Sequence, residues 1–260
     1  MLSQYQEDVR DLLRDDYSQF FSSRKINRYI NRARKQVALQ TGCIRLQLAG
    51  ASASGTDATV GVSPAGGIIP GSVGNANLSS TSIFSTIAGQ EKYPYSYAQT
   101  LLRQQYAGVE DIFDVLGVAV SWGGSRPVMA WMPWLDLQAY ARATTNGMTS
   151  YPLIFSKYME GTRGSIWLFP TPSIASEMEW DTLCLPIPLV DDSTPEALSY
   201  PFTDAVKYYS AHLAYLSSQR FGMAETMLDQ YLNHLMVNAA QVNTGAVPDY
   251  YQNVGGDGSW

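Results

Sequence analysis

The stretch SRKINRYINRARKQVALQTG, residues 23–42, has the clearest secondary-structure pattern in the chain. Its apolar residues recur at helical spacing, within about 60° of one another at 100° per residue: Ile26, Ile30, Ala33 and Val37. Ser23 can cap the first turn, and Gly42 stands where a helix commonly ends on a glycine. The stretch therefore predicts an amphipathic helix whose apolar side packs into a helical core.

The other side of this predicted helix is basic. Its charged residues, called the basic face from here on, are Arg24, Lys25, Arg28, Arg32 and Lys35. Between positions 17 and 56 there are seven Lys and Arg residues and no Asp or Glu. Such a run meets solvent, an acidic protein partner or adjacent subunit, or the phosphates of DNA, and the sequence leaves these alternatives open. We take Arg28, Arg32 and Lys35 as candidate partner-binding residues.

The whole chain is acidic in spite of this basic run. Its 260 residues include 17 Lys and Arg against 23 Asp and Glu, a net charge of −6 at pH 7, and 45% are hydrophobic. A hydrophobic fraction of this size is typical of a globular protein. A protein that binds DNA by neutralising phosphates carries an excess of basic residues. The charge balance therefore argues against a DNA-binding enzyme or repressor.

Both ends of the chain predict further helices. Ser3 and Gln6 resemble a capping box that opens an N-terminal helix of about 13 residues. Near the other end, Pro201 suits a first helical turn, and Gly222 is expected to separate two helices. The apolar residues between them step by three and four: Phe202, Val206, Tyr209, Leu213 and Leu216.

The middle of the chain has strand patterns. Leu153–Met159 and Ser165–Phe169 predict a hairpin, and Glu177–Leu185 alternates apolar and acidic residues as a half-buried edge strand does. Successive short strands favour an antiparallel sandwich or barrel. The predicted fold class is α+β: residues 1–48 and 200–245 form a helical bundle, and an antiparallel β domain, residues 83–190, is inserted between them.

Two segments differ from the rest in composition. Residues 49–82 contain seven of the 21 glycines and are interpreted as a long loop or β-arm, ordered by neighbouring subunits or simply disordered. The tail, residues 246–260, is rich in glycine yet carries Tyr250, Tyr251 and Trp260. Aromatic side chains on a flexible segment suit docking into a partner, so these three are candidate partner-binding residues. The alternative is an unimportant frayed end.

The sequence has no recognisable pattern for catalysis or for binding a metal or cofactor. His212 and His234 have no acidic residue at metal-ligand spacing, and Cys43 and Cys184 have no CxxC partner. We expect both cysteines to be buried free thiols. The adjacent acids look solvated and do not form a catalytic pair: Asp15-Asp16, Glu110-Asp111 and Asp191-Asp192. The sequence therefore predicts a protein that is not an enzyme and that binds no cofactor or metal.

Nothing in the sequence predicts export or membrane insertion. The first 16 residues carry charges where a signal peptide needs an apolar segment, and no apolar run approaches the roughly 18 residues of a membrane span. We therefore expect a protein made and kept in a cytoplasm, or in something assembled there, with no membrane partner.

Three stretches together resemble one protein family. They are INRYINRARKQVALQTGCIR (26–45), STIAGQEKYPYS (85–96), and IWLFPTPSIASEMEWDTLCLPIPLVDD (166–192) leading into YPFTDAVKYYSAHLA (200–214). In their order and spacing they resemble a phage head-to-tail adaptor, or connector, of the kind that includes tail tubular protein A of short-tailed phages. Residues 49–82 and the aromatic tail are the least typical parts.

The resemblance implies a non-catalytic structural protein of the virion, assembled in the host cytoplasm. Such adaptors form a ring, usually of twelve copies, between the portal protein and the tail nozzle, and genomic DNA passes through it without specific binding. In such a ring the basic face and the aromatic tail would contact the portal or the neighbouring subunit.

Two alternatives from other classes stay open. A carbohydrate- or receptor-binding tail component would be a trimer with exposed Trp and Tyr residues in a groove. A cell-wall hydrolase, the less favoured alternative, would need a carboxylate pair in a cleft.

Overall fold

The structure is a computed structural model that describes residues 1–15, 20–49, 84–121, 127–143, 149–159 and 161–243. The predicted loop or arm, apart from Ala49, and the aromatic tail lie outside these residues. The helices are α1 (Leu2–Leu13), α2 (Ser23–Thr41), α3 (Tyr95–Gln105), α4 (Trp134–Ala143), α5 (Thr203–Ser217) and α6 (Phe221–Asn243). The strands are β1 (Arg45–Ala49), β2 (Lys92–Pro94), β3 (Val109–Val120), β4 (Ala130–Trp131), β5 (Thr149–Ser150), β6 (Ile154–Tyr158), β7 (Ser165–Phe169), β8 (Thr171–Pro172) and β9 (Met178–Pro186).

Helices from the two ends of the chain share one apolar core. α5 packs against α1, α2 and α6, so the C-terminal helices complete a core begun by the N-terminal ones. The predicted stripe of α2 is confirmed, because Ile26, Ile30, Ala33 and Val37 are all fully buried. Gly42 ends α2 at a φ of 60°, and its N–H donates to the Ala38 carbonyl at 2.9 Å. A positive φ is costly for residues with a Cβ, which is why glycine suits this position.

The predicted capping box at the start of α1 is wrong. Ser3 donates through its N–H (2.8 Å) and its hydroxyl (3.1 Å) to the carboxylate of Asp192, and the Met1 amino group donates to the same oxygen at 2.9 Å. Asp192 belongs to the segment between β9 and α5. A carboxylate at a helix N-terminus satisfies free N–H groups and favours the helix dipole, so it replaces a local cap. These hydrogen bonds lower the pKa of Asp192 to about 2.

A three-stranded antiparallel sheet has the order β1-β9-β3. The alternation predicted for β9 is confirmed: Met178, Trp180 and Thr182 are buried, whereas the acids between them are half-buried. The prediction that this strand lies at an edge is wrong, because β1 pairs on one side of it and β3 on the other. Central strands can alternate too when one face of the sheet is more exposed than the other.

The second sheet has the order β2-β7-β6-β4. The predicted hairpin is confirmed as β6 and β7, paired from Ile154↔Phe169 to Tyr158↔Ser165. Two short pairings, β4 with β6 and β5 with β8, are parallel and depart from the predicted antiparallel domain. Two isolated antiparallel bridges lie outside the named strand pairings: Ala119↔Val128 and Ser85↔Glu177. Buried residues of both sheets, including Trp180, Phe155 and Ile166, belong to one core. The fold is therefore α+β.

The strand-rich middle also contains helices that the sequence prediction missed. α3 buries Ala98, Leu101 and Leu102, which are spaced as on one face of a helix. α4 buries only Leu137, so its pattern in the sequence is weak. At the C-terminal end, Gly222 lies inside the first turn of α6. The break between α5 and α6 falls at residues 218–220.

A buried ion pair attaches α2 to the segment that joins β9 to α5. The Arg34 side chain is 0% exposed and that of Glu196 6%. Arg34 Nε donates to both carboxylate oxygens at 3.1 and 3.0 Å, and Nη2 to Oε1 at 2.6 Å. Arg34 Nη1 also donates to the Ile187 carbonyl at 2.7 Å. Such a bidentate pair has strict geometry, so it fixes the position of the joining segment on the helix.

Neighbouring contacts strengthen the same attachment. The Asn31 amide donates to the Leu189 carbonyl at 3.0 Å and accepts from the Leu189 N–H at 2.7 Å. Cys43, just after α2, packs against both the helical core and the core of the sheets. The end of α2 and residues 187–198 therefore form the junction between the two cores.

We expect Arg34→Ala to lower the free energy of unfolding by about 3–5 kcal/mol, because Glu196 would be left buried without its cation. The exposed neighbour Arg32→Ala is the control, and its effect should stay within about 0.5 kcal/mol. Replacing both partners, as Arg34→Met with Glu196→Leu, should cost less than the single change because no charge is stranded. Urea denaturation measures all three. Equal losses for Arg34→Ala and Arg32→Ala would contradict the assigned role.

The Asp192 carboxylate should make stability depend on acid pH. Its pKa is lowered from 3.8 to about 2 in the folded chain, so its stabilising effect is present above the unfolded pKa and is lost as pH falls towards 2. Asp192→Asn should lower the thermal midpoint at pH 7, and the difference from wild type should disappear near pH 2. Asp229→Asn on α6 is the control. An unchanged difference at low pH would count against this assignment.

Candidate partner-binding surfaces

The basic face of α2 points away from the helical core. Arg24, Arg28 and Arg32 are exposed, one turn apart along the helix. Within the described part of the chain, none of these three guanidinium groups has an ion-pair partner. Arg28 lies 6.0 Å from the ring centre of Tyr29, which is at the outer limit of a cation–π contact. Three positive charges are therefore available to a partner.

Lys35 has a different environment from the arginines. Its Nζ lies 2.7 Å from Glu110 Oε2 at the start of β3, and its side chain is 39% exposed. Lys35 thus connects the end of α2 with the three-stranded sheet inside the same chain. Of the candidates Arg28, Arg32 and Lys35, the structure places the two arginines in open solvent and the lysine in an internal ion pair.

Arg34 differs from the other basic residues of α2, and the sequence analysis did not distinguish it from them. It stands among Arg32, Lys35 and other polar residues, yet it is the one basic side chain of α2 that is fully buried. The signal was available in the helical spacing, since Arg34 follows Ile30 by one turn and so shares the buried side of α2.

The second candidate surface is an aromatic groove between α4 and β7, lined by Trp134, Trp167, Phe169, Arg142 and Glu91. It encloses about 130 Å³. The rings of Trp134 and Trp167 lie 4.6 Å apart, and the buried Trp167 Nε1 has no hydrogen-bond acceptor among the described residues. Amphipathic aromatic side chains in a groove are typical of sites that bind another protein or a sugar.

Two large apolar side chains of the strand-rich middle are exposed. Trp131 of β4 is 57% exposed, and Leu135 of α4, which follows the groove residue Trp134, is 76% exposed. Exposed apolar residues mark an interaction site when they form a large contiguous patch. The sequence analysis could not locate an aromatic groove, because it missed α4.

Both histidines make contacts between helices or turns of the helical core. His212 Nδ1 lies 2.7 Å from the Ala224 carbonyl, and the ring of His234 stacks on that of Tyr208 with the centres 4.7 Å apart, so both side chains pack between α5 and α6. No group of three or more metal-ligating side chains occurs among the described residues.

Both cysteines are free, as predicted; Cys184 is buried, while Cys43 is half-buried. Burial raises the pKa of Cys43 to about 11 and that of Cys184 to about 12. A thiol reacts as the thiolate, so neither cysteine is poised for nucleophilic chemistry at neutral pH.

The adjacent acids are engaged in structural contacts. Glu110 pairs with Lys35, and Asp111 lies 3.6 Å from Arg103. Asp191 accepts hydrogen bonds from Ser193 and Thr194, which lower its pKa. Of the adjacent pair Asp15-Asp16, only Asp15 lies within the described residues.

Three of the candidate residues, Tyr250, Tyr251 and Trp260, lie outside the described residues. No helix in the described ranges has the length and apolar character needed to cross a membrane.

Comparison with known proteins agrees with a structural role. No curated protein matches the chain. The family described as SU10 adaptor protein matches residues 2–249, which is nearly the whole chain. The chain therefore belongs to the SU10 adaptor protein family, and it is a phage adaptor, a structural component of the virion at the junction of head and tail.

Proposed function

We propose that the chain assembles into a closed ring that joins the portal protein to the tail nozzle. The family match over residues 2–249 is the observation that carries the proposal. The resemblance to tail tubular protein A supports twelve copies. A closed ring needs one face of each subunit to bind a different face of the next. The basic face, with three arginines unpaired inside the described part of the chain, supplies one such surface.

The proposal assigns partner contacts to residues of α2 and the tail. Arg28 and Arg32 bind the portal or the neighbouring subunit, and Lys35 contributes at the edge of the same face. Tyr250, Tyr251 and Trp260 anchor the tail on the portal, because aromatic side chains bury much area for little entropy loss. The tail protein binds the strand-rich part of the chain, where the aromatic groove and the exposed Trp131 and Leu135 offer apolar surface.

The proposed organisation follows the two cores. Residues 1–48 and 200–245 act as the helical unit and residues 83–190 as the β unit, whereas residues 49–82 become ordered by neighbouring subunits. The junction at Arg34 and Glu196 supports this organisation, because it holds the two units together within each copy.

The ring forms part of the channel through which genomic DNA leaves the head. With a net charge of −6 per copy, acidic residues facing the lumen would repel the phosphates and keep DNA from adhering. The protein acts without catalysis, a metal or a cofactor, and it assembles in the host cytoplasm.

A carbohydrate- or receptor-binding tail component is the second candidate function. The aromatic groove favours it, because Trp134 and Trp167 could stack on a sugar ring beside the polar groups of Glu91 and Arg142. This alternative predicts a trimer that binds glycans, and cell-wall hydrolysis predicts turnover of peptidoglycan.

The adaptor proposal predicts that the purified chain, mixed with portal-bearing heads, forms a closed ring of about twelve copies on the portal. Electron microscopy of the particles measures the copy number and shows which side chains line the channel. A trimer with glycan affinity would favour the second candidate. A lumen lined by Arg and Lys would contradict the proposed role of acidic residues.

Removing residues 246–260 should leave a folded chain that no longer joins portal-bearing heads. The loss is expected because the deletion removes Tyr250, Tyr251 and Trp260, while the helical core ends before it. Circular dichroism checks folding, and co-sedimentation with heads measures joining. The full-length chain with the tail order scrambled separates loss of sequence from loss of length. Undiminished joining would refute the role of the tail.

A further inference from the structure

α6 carries a surface that no contact within the described part of the chain uses. Phe221 and Met236 are 66% and 69% exposed, and Leu232 is 38% exposed. Glu225 and Asp229 are exposed between them, with no ion-pair partner among the described residues. At 100° per residue these five side chains fall within an arc of about 80°. We call this set the acidic-apolar face of α6.

The acidic-apolar face has the same spacing as the outward side of α2. Along α2, Arg24, Arg28, Arg32, Lys35 and Leu39 follow one another by 4, 4, 3 and 4 positions. Along α6, Phe221, Glu225, Asp229, Leu232 and Met236 follow the identical steps. Two helices aligned side by side in parallel therefore bring every position of one stripe to the matching position of the other.

The chemistry is complementary at four of the five matched positions, and the fifth places Lys35, which pairs with Glu110, beside Leu232. Arg28 meets Glu225 and Arg32 meets Asp229. Each of these four charged side chains has no ion-pair partner within the described chain. Leu39, which is 47% exposed, meets Met236. Arg24 meets the ring of Phe221, as in a cation–π contact. Opposite charges flanked by apolar pairs set both the register and the direction of two helices.

The two faces cannot meet within one chain. α5 packs against α2 and against α6, and each of these helices turns its buried residues towards the shared core. The arginines of the α2 stripe and all five residues of the α6 stripe are exposed, so the two stripes do not cover each other in the single chain. Two unlike faces on one molecule produce the head-to-tail contact that closes a ring.

We propose that α2 of one copy packs in parallel against α6 of the next copy, with Arg28 on Glu225, Arg32 on Asp229 and Leu39 on Met236. This inference rests on the proposed ring and names the surfaces that build it. The occupant of the acidic-apolar face is a second copy of this chain.

Reciprocal charge reversal tests the pairing. One variant carries Arg28→Glu and Arg32→Glu, and the other carries Glu225→Arg and Asp229→Arg. Each variant alone opposes like charges at every contact, so copies joined on portal-bearing heads should fall about tenfold. An equimolar mixture should restore wild-type assembly, because each variant then finds its complement in the other and an even ring can close. Arg14→Glu with Arg163→Glu, two exposed arginines outside both helix faces and outside the aromatic groove, is the charge-matched control and should assemble normally.

Cysteine cross-linking tests the direction of the helices. Leu39→Cys combined with Met236→Cys should give adaptor–adaptor cross-links with a short bifunctional reagent. Leu39→Cys combined with Phe221→Cys reports an antiparallel arrangement and should give few cross-links. Circular dichroism and thermal midpoints close to wild type establish that every variant folds.

The outcomes separate this inference from the proposed function. Normal rings from each charge-reversed variant would overturn the α2–α6 pairing and leave the ring intact. Failure of the mixture as well as of each variant would assign the basic face to the portal instead. Absence of any adaptor–adaptor contact in the wild type would overturn the proposed ring itself.

Discussion

The structure depends on the buried ion pair between Arg34 and Glu196. Each charge alone would be very costly to remove from water, and the pair is tolerated because the three guanidinium nitrogens make five hydrogen bonds to acceptors in one place. A hydrophobic contact at this position would tolerate sliding by a fraction of a turn. The bidentate geometry does not, so the segment that follows β9 has one position on α2.

This constraint adds to the other contacts between the two cores, which include the Lys35–Glu110 ion pair and the packing of Cys43 against both. α2 belongs to the helical core over most of its length, whereas Ala38 near its end belongs to the core of the sheets. The segment between β9 and α5 also supplies Asp192 to the start of α1 and the backbone of Leu189 to Asn31. Polar contacts therefore connect the first helix, the second helix and the last strand. A protein positioned between the head and the tail of a virion has to pass load from one neighbour to the other, and a fixed junction serves that purpose.

Elements with a regular spacing of apolar residues could be predicted from the sequence, whereas features that depend on contacts between distant parts of the chain could not. The stripe of α2, the glycine that ends it and the β6–β7 hairpin follow from local pattern, and all three are confirmed. α4 buries one side chain, so its sequence carries almost no helical signal, and the aromatic groove that depends on it could not be placed. The cap of α1 comes from a residue about 190 positions away, which no local rule can identify. The position of β9 in its sheet was wrong for a related reason: alternation reports the two faces of a strand but not how many neighbours it has.

The basic residues of α2 have similar side chains but lie in different environments. Arg34 lies on the buried side and fixes the junction, Lys35 lies at the boundary and reaches the sheet, and Arg24, Arg28 and Arg32 remain in solvent. The division follows from the angle of each residue around the helix axis. Charges paired inside the chain stabilise the monomer and have less attraction left for a partner. Arg24, Arg28 and Arg32 have no ion-pair partner inside the described chain, so their charges stay available to one. The buried residues and the proposed binding residues of α2 are therefore set by the same helical geometry, and changes on the exposed side of the helix can leave the buried side intact.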